Sequence, residues 1–255
     1  MAPVLQAVLW GLVQGITEFL PISSDGHLVL IPALFGFVPP DLATTAVLHL
    51  GTLAAVVVYF RKDLWRLRLA RSDPDARRLL WLLFIGSLPA ALALLFVNEV
   101  ERLQRSATAA ALFLLVTGVV LVVVDRLPRG RRNIEQATPT EALLIGFAQL
   151  LAVLPGISRS GFTIATGMAR GFERVAMARF SFLLGVPAIT AAGLFELFSL
   201  ANDGGVPQSA WLGVVVAGLT GYLAIAFLLR MLARTGLSGY GVYCLAFGTI
   251  ALFVL

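Results

Sequence analysis

The chain has 255 residues, of which 59% are hydrophobic and 13% charged, with a net charge of +5; soluble domains carry about 25% charged residues. That balance excludes an ordinary soluble enzyme and indicates an integral membrane protein. The basic surplus does not call for nucleic acid, because the arginines fall in short stretches between apolar runs and no aromatic-basic module accompanies them.

Residues 1–39 are apolar but broken near the middle by a polar island, QGITEFLPISSDGH, at 14–27. No basic region precedes the first apolar run and no small-residue cleavage site follows it, so it does not read as a signal peptide. Glu18, Asp25 and His27 therefore sit where a bilayer or a dry core must accept them, and ionisable groups there cost several kcal/mol unless paired or wetted. Gln14 and Glu18 lie four apart and share a helix face. Pro21 and the run Ile-Ser-Ser-Asp-Gly end that helix, and Ser23, Ser24 or Asp25 begins the next. Any one of these could serve only as a cap. Glu18 has no capping role and reads as functional. His27 suits a general base, a metal ligand or a capping donor; beside a carboxylate and a serine, catalysis is favoured.

Six apolar runs follow, about 17–25 residues each, the length needed to cross a bilayer: 42–60, 79–97, 107–124, 175–198, 211–229 and 239–255. His49, in the first of them, reads as a packed histidine. Gly51, Gly86, Gly118, Gly185, Gly218 and Gly221 read as close-approach positions between helices. Between the third and fourth runs, 140–169 is apolar and broken like the N-terminus. Its turn, LPGISRSGFT at 154–163, carries Arg159, whose planar guanidinium suits phosphate oxygens or a pairing with Glu18. Helix N-termini meeting there would add N–H groups for an anion. The lone cysteine, Cys244, excludes a disulfide framework and a cysteine metal site.

The loops orient the chain. Segment 61–78 holds Arg61, Lys62, Arg66, Arg68, Arg71, Arg77 and Arg78; 126–132 holds four arginines, 170–179 three, and Arg230 and Arg234 lie between the last two runs. The segments 98–106 and 200–209 hold two basic residues and none. Six crossings plus two hairpins that enter and leave on one side put every strongly basic loop inside; eight full crossings would not. At a constant offset of 135, Gly11, Gln14, Ile22, Ser23 and Gly26 match Gly146, Gln149, Ile157, Ser158 and Gly161. The expected fold is thus an all-α integral membrane protein, one membrane domain over 1–255. Its halves, 1–125 (hairpin 1–39 plus three spans) and 140–255 (hairpin 140–169 plus three spans), form an inverted-topology repeat with a site near the midplane.

The stretches QGITEFLPISSDGHLVL, LPGISRSGFT and FSFLLGVPA (180–188) resemble the signature motifs of the bacterial undecaprenyl-pyrophosphate phosphatase family, the bacitracin-resistance type. The resemblance runs along the whole chain. It implies an enzyme of the bacterial inner membrane, its site facing the periplasm, that removes the terminal phosphate from a C55 isoprenoid diphosphate and regenerates the lipid carrier for peptidoglycan and other envelope polymers. It also implies a divalent cation, Mg2+ or Ca2+, and allows a homodimer. Carried over by position, the catalytic glutamate, which would also hold the metal, falls on Glu18. The first-motif serine falls on Ser24, the histidine on His27 and the phosphate-binding arginine on Arg159. Gln14, Ser23, Asp25, Ser158, Ser160 and Thr163 are then expected to line the substrate. The chain departs from the family pattern in having Gln14 where a first glutamate can stand and Asp25 where serine or threonine is usual. One carboxylate with substrate phosphates suffices for magnesium, and Asp25 is a candidate second ligand.

Two chemical routes stay open: attack by Ser24 with His27 as base, or a water directed by His27 and Glu18. The alternative from another class is a flippase for the same lipid phosphate, since inverted repeats with broken helices also build transporters.

Overall fold

The computed structural model describes residues 2–200 and 207–255; the loop 201–206, part of the segment read as lacking basic charge, lies outside them. The described residues are overwhelmingly helical, and the sole β feature among them is an isolated bridge between Arg132 and Phe172.

Two helices open the chain, α1 (Pro3–Phe19) and α2 (Ser24–Phe35). Pro3 starts α1, where a missing N–H costs nothing. Pro21 forces Leu20 out of the helical region (φ −66°, ψ 142°) and so ends it. The helix α3 (Leu42–Tyr59) is capped by Asp41, whose carboxylate accepts from the Thr44 N–H at 2.6 Å. It bends by 75° into the short basic α4 (Arg61–Leu67). Next come α5 (Pro74–Ser87), a 3-10 stretch over Leu88–Phe96, and α6 (Val97–Gln104); the helical run Pro74–Val100 is 27 residues long and holds a stretch apolar enough to cross a membrane. The first half ends with α7 (Ala107–Asp125), capped by Ser106.

After the basic loop, a capping box of Thr138 and Glu141 starts α8 (Pro139–Leu151), which pairs with α9 (Arg159–Ala169). Three long helices close the chain: α10 (Arg174–Leu200), α11 (Ala210–Arg234) and α12 (Ser238–Val254).

Among the described residues four helical stretches are long and apolar enough to cross a membrane, and a fifth is reached when α3 and α4 count together. The sixth expected span coincides with α12, whose 17 residues extend about 25 Å at 1.5 Å per residue. Large apolar side chains face outward along these helices, Leu219, Leu223 and Phe227 of α11 among them. Water would not tolerate that outer surface, but acyl chains would. The chain is a multi-pass helical membrane protein.

Close packing positions the hairpins. A Cβ on Gly11 would come within 2.6 Å of the Gly213 carbonyl oxygen, so α1 lies against α11 nearly backbone to backbone. Beneath the turn of the first hairpin, Phe19 meets Phe182 of α10 edge to face at 5.4 Å, and Phe60 lies 6.0 Å from the same ring. This apolar floor draws on both halves of the chain.

Candidate active site

The two broken segments bring their turns together. In the first, α1 carries Gln14 and Glu18 on one face to its last turn, the chain reverses at Pro21, and Ser23 caps α2 by accepting from the Gly26 N–H at 3.2 Å. In the second, Ser158 caps α9 by accepting from the Gly161 N–H at 3.1 Å. The turns interlock. Ser23 Oγ also accepts from the N–H of Gly156 at 3.1 Å, and Ser160 Oγ donates to the Leu20 carbonyl at 3.2 Å. Gly156 has φ +97°, a conformation side chains rarely adopt, and so presents its N–H across the interface. Thr117 of α7 braces the second turn, donating to the Gly156 carbonyl and accepting from the Ser158 N–H.

Glu18 is the centre of the cluster and is 9% exposed. Its Oε1 accepts from Arg159 Nη2 at 2.8 Å; its Oε2 accepts from Ser24 Oγ at 2.6 Å and from Gln14 Nε2 at 3.1 Å. A buried carboxylate is tolerable here because a guanidinium, a hydroxyl and an amide all point donors at it. The second Arg159 nitrogen, Nη1, donates to the Ser181 carbonyl at 3.3 Å. Thr163 supports this arm, donating to the Arg159 carbonyl and lying 2.6 Å from Ser181 Oγ. Glu18, Ser24, Arg159, Gln14, Ser23, Ser158, Ser160 and Thr163 thus lie in one connected hydrogen-bonded network. Asp25, in the first turn of α2, makes no hydrogen bond among the described residues but lies within electrostatic reach of Glu18, His49 and Arg159.

His27 stands apart from this network. Its ring is 2% exposed, with Nδ1 2.7 Å from the Ser23 carbonyl and Nε2 2.7 Å from the Tyr243 hydroxyl. No hydrogen bond or ion pair joins it to Glu18, Ser24 or Arg159 among the described residues.

Three residues near the cluster carry no functional reading from sequence. His49 of α3 directs Nε2 at Glu18 Oε2, 3.8 Å away, while Nδ1 donates to the Thr45 carbonyl. The signal was present, since an ionisable side chain inside a span is functional by default. Ser181 supports Arg159; its one signal in the sequence was its place in the stretch FSFLLGVPA. Gly185 of α10, taken as a helix-approach position, instead makes room for a side chain: a Cβ there would lie 2.7 Å from Arg159 Cζ.

No group of three His, Cys, Asp or Glu side chains among the described residues is placed to hold a metal alone. The donors present are hard oxygens: the Glu18 carboxylate, the Ser24 hydroxyl and the Asp25 carboxylate without a hydrogen bond. Such a set fits Mg2+ or Ca2+, provided a substrate's phosphates complete the shell.

Residues 7–250 match the family model described as bacitracin resistance protein BacA. An undecaprenyl-diphosphatase of Thermomicrobium roseum is 45% identical over 271 aligned residues, covering 98% of this chain and 98% of its own. Relatives of the same description from Pelobacter propionicus (42% identical, covering 96% of this chain and 94% of theirs) and Myxococcus xanthus (41%, covering 98% and 89%) are similar along nearly their whole length.

Proposed function

The chain belongs to the bacitracin resistance protein BacA family, and from that premise we propose that the joined hairpin turns are the site of its chemistry. The protein hydrolyses undecaprenyl diphosphate to undecaprenyl phosphate and inorganic phosphate, recycling the lipid carrier used in peptidoglycan synthesis.

One observation carries the assignment of the site: a single buried carboxylate, Glu18, accepts a hydroxyl from Ser24 on one oxygen and a guanidinium from Arg159 on the other. Arg159 binds the diphosphate, exchanging Glu18 for phosphate oxygens in the fork geometry that guanidinium favours. Once Arg159 turns to the phosphates, Glu18 takes the Ser24 proton along the bond they already share. The Ser24 oxygen then bonds to the terminal phosphorus, the anhydride bond breaks, and the lipid phosphate leaves. Water next cleaves the serine–phosphorus bond and releases inorganic phosphate. His49 offers a second station for the proton, 3.8 Å from Glu18. A divalent cation, Mg2+ or Ca2+, would be held by Glu18 and the substrate's phosphate oxygens, with Asp25 as a further ligand, and would neutralise phosphate charge.

The site faces the periplasm of a bacterial inner membrane, within six crossings and two re-entrant hairpins arranged as an inverted repeat. Support comes from element lengths in three of the four hairpin helices: α2, α8 and α9 have 12, 13 and 11 residues, about 20 Å or less against a hydrocarbon core of about 30 Å, while α1 has 17. Support for the repeat comes from the first residues of α2 and α9, Ser24 and Arg159, which stand at the same offset of 135 as the matched motif positions.

The test is inorganic phosphate release from undecaprenyl diphosphate by the purified protein in detergent, with and without chelator. Release should need the cation and fall by about a hundredfold, about 2.7 kcal/mol, in Arg159→Ala. Release unchanged in that variant would remove the site from between the hairpins.

A further inference from the structure

Ser23 is the single non-glycine residue with a positive φ, 69°, among the described residues. A side chain in that left-handed region persists only where its surroundings over-determine it. Here the surroundings are explicit. The Ser23 hydroxyl accepts two backbone N–H groups, from Gly26 in its own hairpin and Gly156 in the other. Its carbonyl accepts the His27 N–H at 3.2 Å and His27 Nδ1 at 2.7 Å. A carbonyl oxygen only accepts, so Nδ1 carries the proton. The other ring nitrogen, Nε2, lies 2.7 Å from the Tyr243 hydroxyl, which can donate to it. The imidazole is stacked with both Tyr243 (ring centroids 5.6 Å apart, planes 6° apart) and Phe247 (5.0 Å, 23°) of α12. Both nitrogens are therefore engaged, and neither bonds Glu18.

The consequence falls on the next residue along the chain. The backbone of Ser23 directs Ser24, whose hydroxyl must reach Glu18 at 2.6 Å. We propose that His27 and Tyr243 are positioning residues: Tyr243 fixes the ring and tautomer of His27, and His27 holds the strained carbonyl of Ser23 so that Ser24 faces Glu18. A residue of α12, at the far end of the chain, thereby sets the geometry of a nucleophile near its start. The inference rests on the assignment of Ser24 and Glu18 above and replaces proton transfer by His27.

Three substitutions separate these roles. Asparagine places an amide N–H close to where Nδ1 stands but cannot act as a base; leucine supplies neither group; phenylalanine at 243 deletes one hydroxyl and keeps the stack. Steady-state kcat and KM are measured on purified protein in detergent with undecaprenyl diphosphate and Mg2+. His27→Asn should keep about a tenth or more of the parental kcat and His27→Leu about a hundredth or less, with KM within about threefold in both. Tyr243→Phe should lose about five- to tenfold in kcat at unchanged KM. Two results would overturn the proposal: His27→Asn as inactive as His27→Leu while melting at the parental temperature, or Tyr243→Phe at the parental kcat. Since Tyr243→Phe removes a single oxygen from a partly exposed side chain, it stays folded and decides the question even if both His27 variants do not. The underlying site is judged separately by Glu18→Gln in the same assay: full activity there would remove the site itself, whatever the other variants do.

Discussion

The two hairpins share a frame and differ in chemistry. In both, a serine at matched positions, Ser23 and Ser158, caps the second helix by accepting the N–H of a glycine three residues on, at 3.2 and 3.1 Å. The next residue opens the helix and reaches Glu18, as the neutral hydroxyl of Ser24 in one hairpin and the cationic fork of Arg159 in the other. Glu18 has its counterpart in Val153, and His27 in Phe162, so the second hairpin lacks both the carboxylate and the imidazole. Gln14 donates to Glu18, whereas neither amide atom of its counterpart Gln149 finds a partner within the protein among the described residues. In the function proposed above, one capped turn, used twice, would supply a carboxylate and a nucleophile from one side and an anion receptor from the other. Neither hairpin alone could hold a diphosphate and attack it.

The largest break in this division of labour should come from Glu18→Gln, which removes the base and leaves Arg159 without a counter-charge. We expect kcat to fall by about a thousandfold or more, about 4 kcal/mol, measured as phosphate release. Ser24→Ala comes next, with a loss of several hundredfold, about 3.5 kcal/mol; turnover close to parental would replace the serine with a directed water. Gly185→Ala should act only through the second hairpin. The added methyl displaces the flexible end of Arg159 rather than backbone, so kcat/KM should drop about tenfold while the melting temperature in detergent stays near the parental value. A large loss of stability instead would show that the backbone of α10 yields before the guanidinium does. The smallest effect is expected at Gln149→Met, which deletes a buried amide without partners. Activity should stay within about twofold and stability should hold or rise, because an unpaired buried amide costs about 1–3 kcal/mol. A strong activity loss there would show that the second hairpin contributes more than the arginine.

Much of the site was legible because bilayers penalise polar side chains. Glu18 and Arg159 stood out as ionised groups inside apolar segments, and Pro21 and Pro155 marked the breaks. The helices follow the apolar runs, except that the run 79–97 passes from α5 into a 3-10 stretch at Leu88, and α12 lies where the last run was expected. What stayed hidden depended on direction rather than composition. His27 ends the polar island and His49 lies within an apolar run, yet the turn at Ser23 swings His27 toward Tyr243, while the α3 register brings His49 to Glu18. Gly185 looked like any other small residue of a packed helix. Only the path of the Arg159 side chain shows what it accommodates.

From the sequence alone follow the membrane class, the two broken segments, the motif they share and the residues able to meet a phosphate, because periodicity, proline and charge in an apolar chain act locally. Which histidine faces the carboxylate, which serine backbone is strained and which distant tyrosine holds it were decided by the tertiary structure. Those relations join residues as much as 216 positions apart, and they exist only once close helix packing has set every side chain's direction.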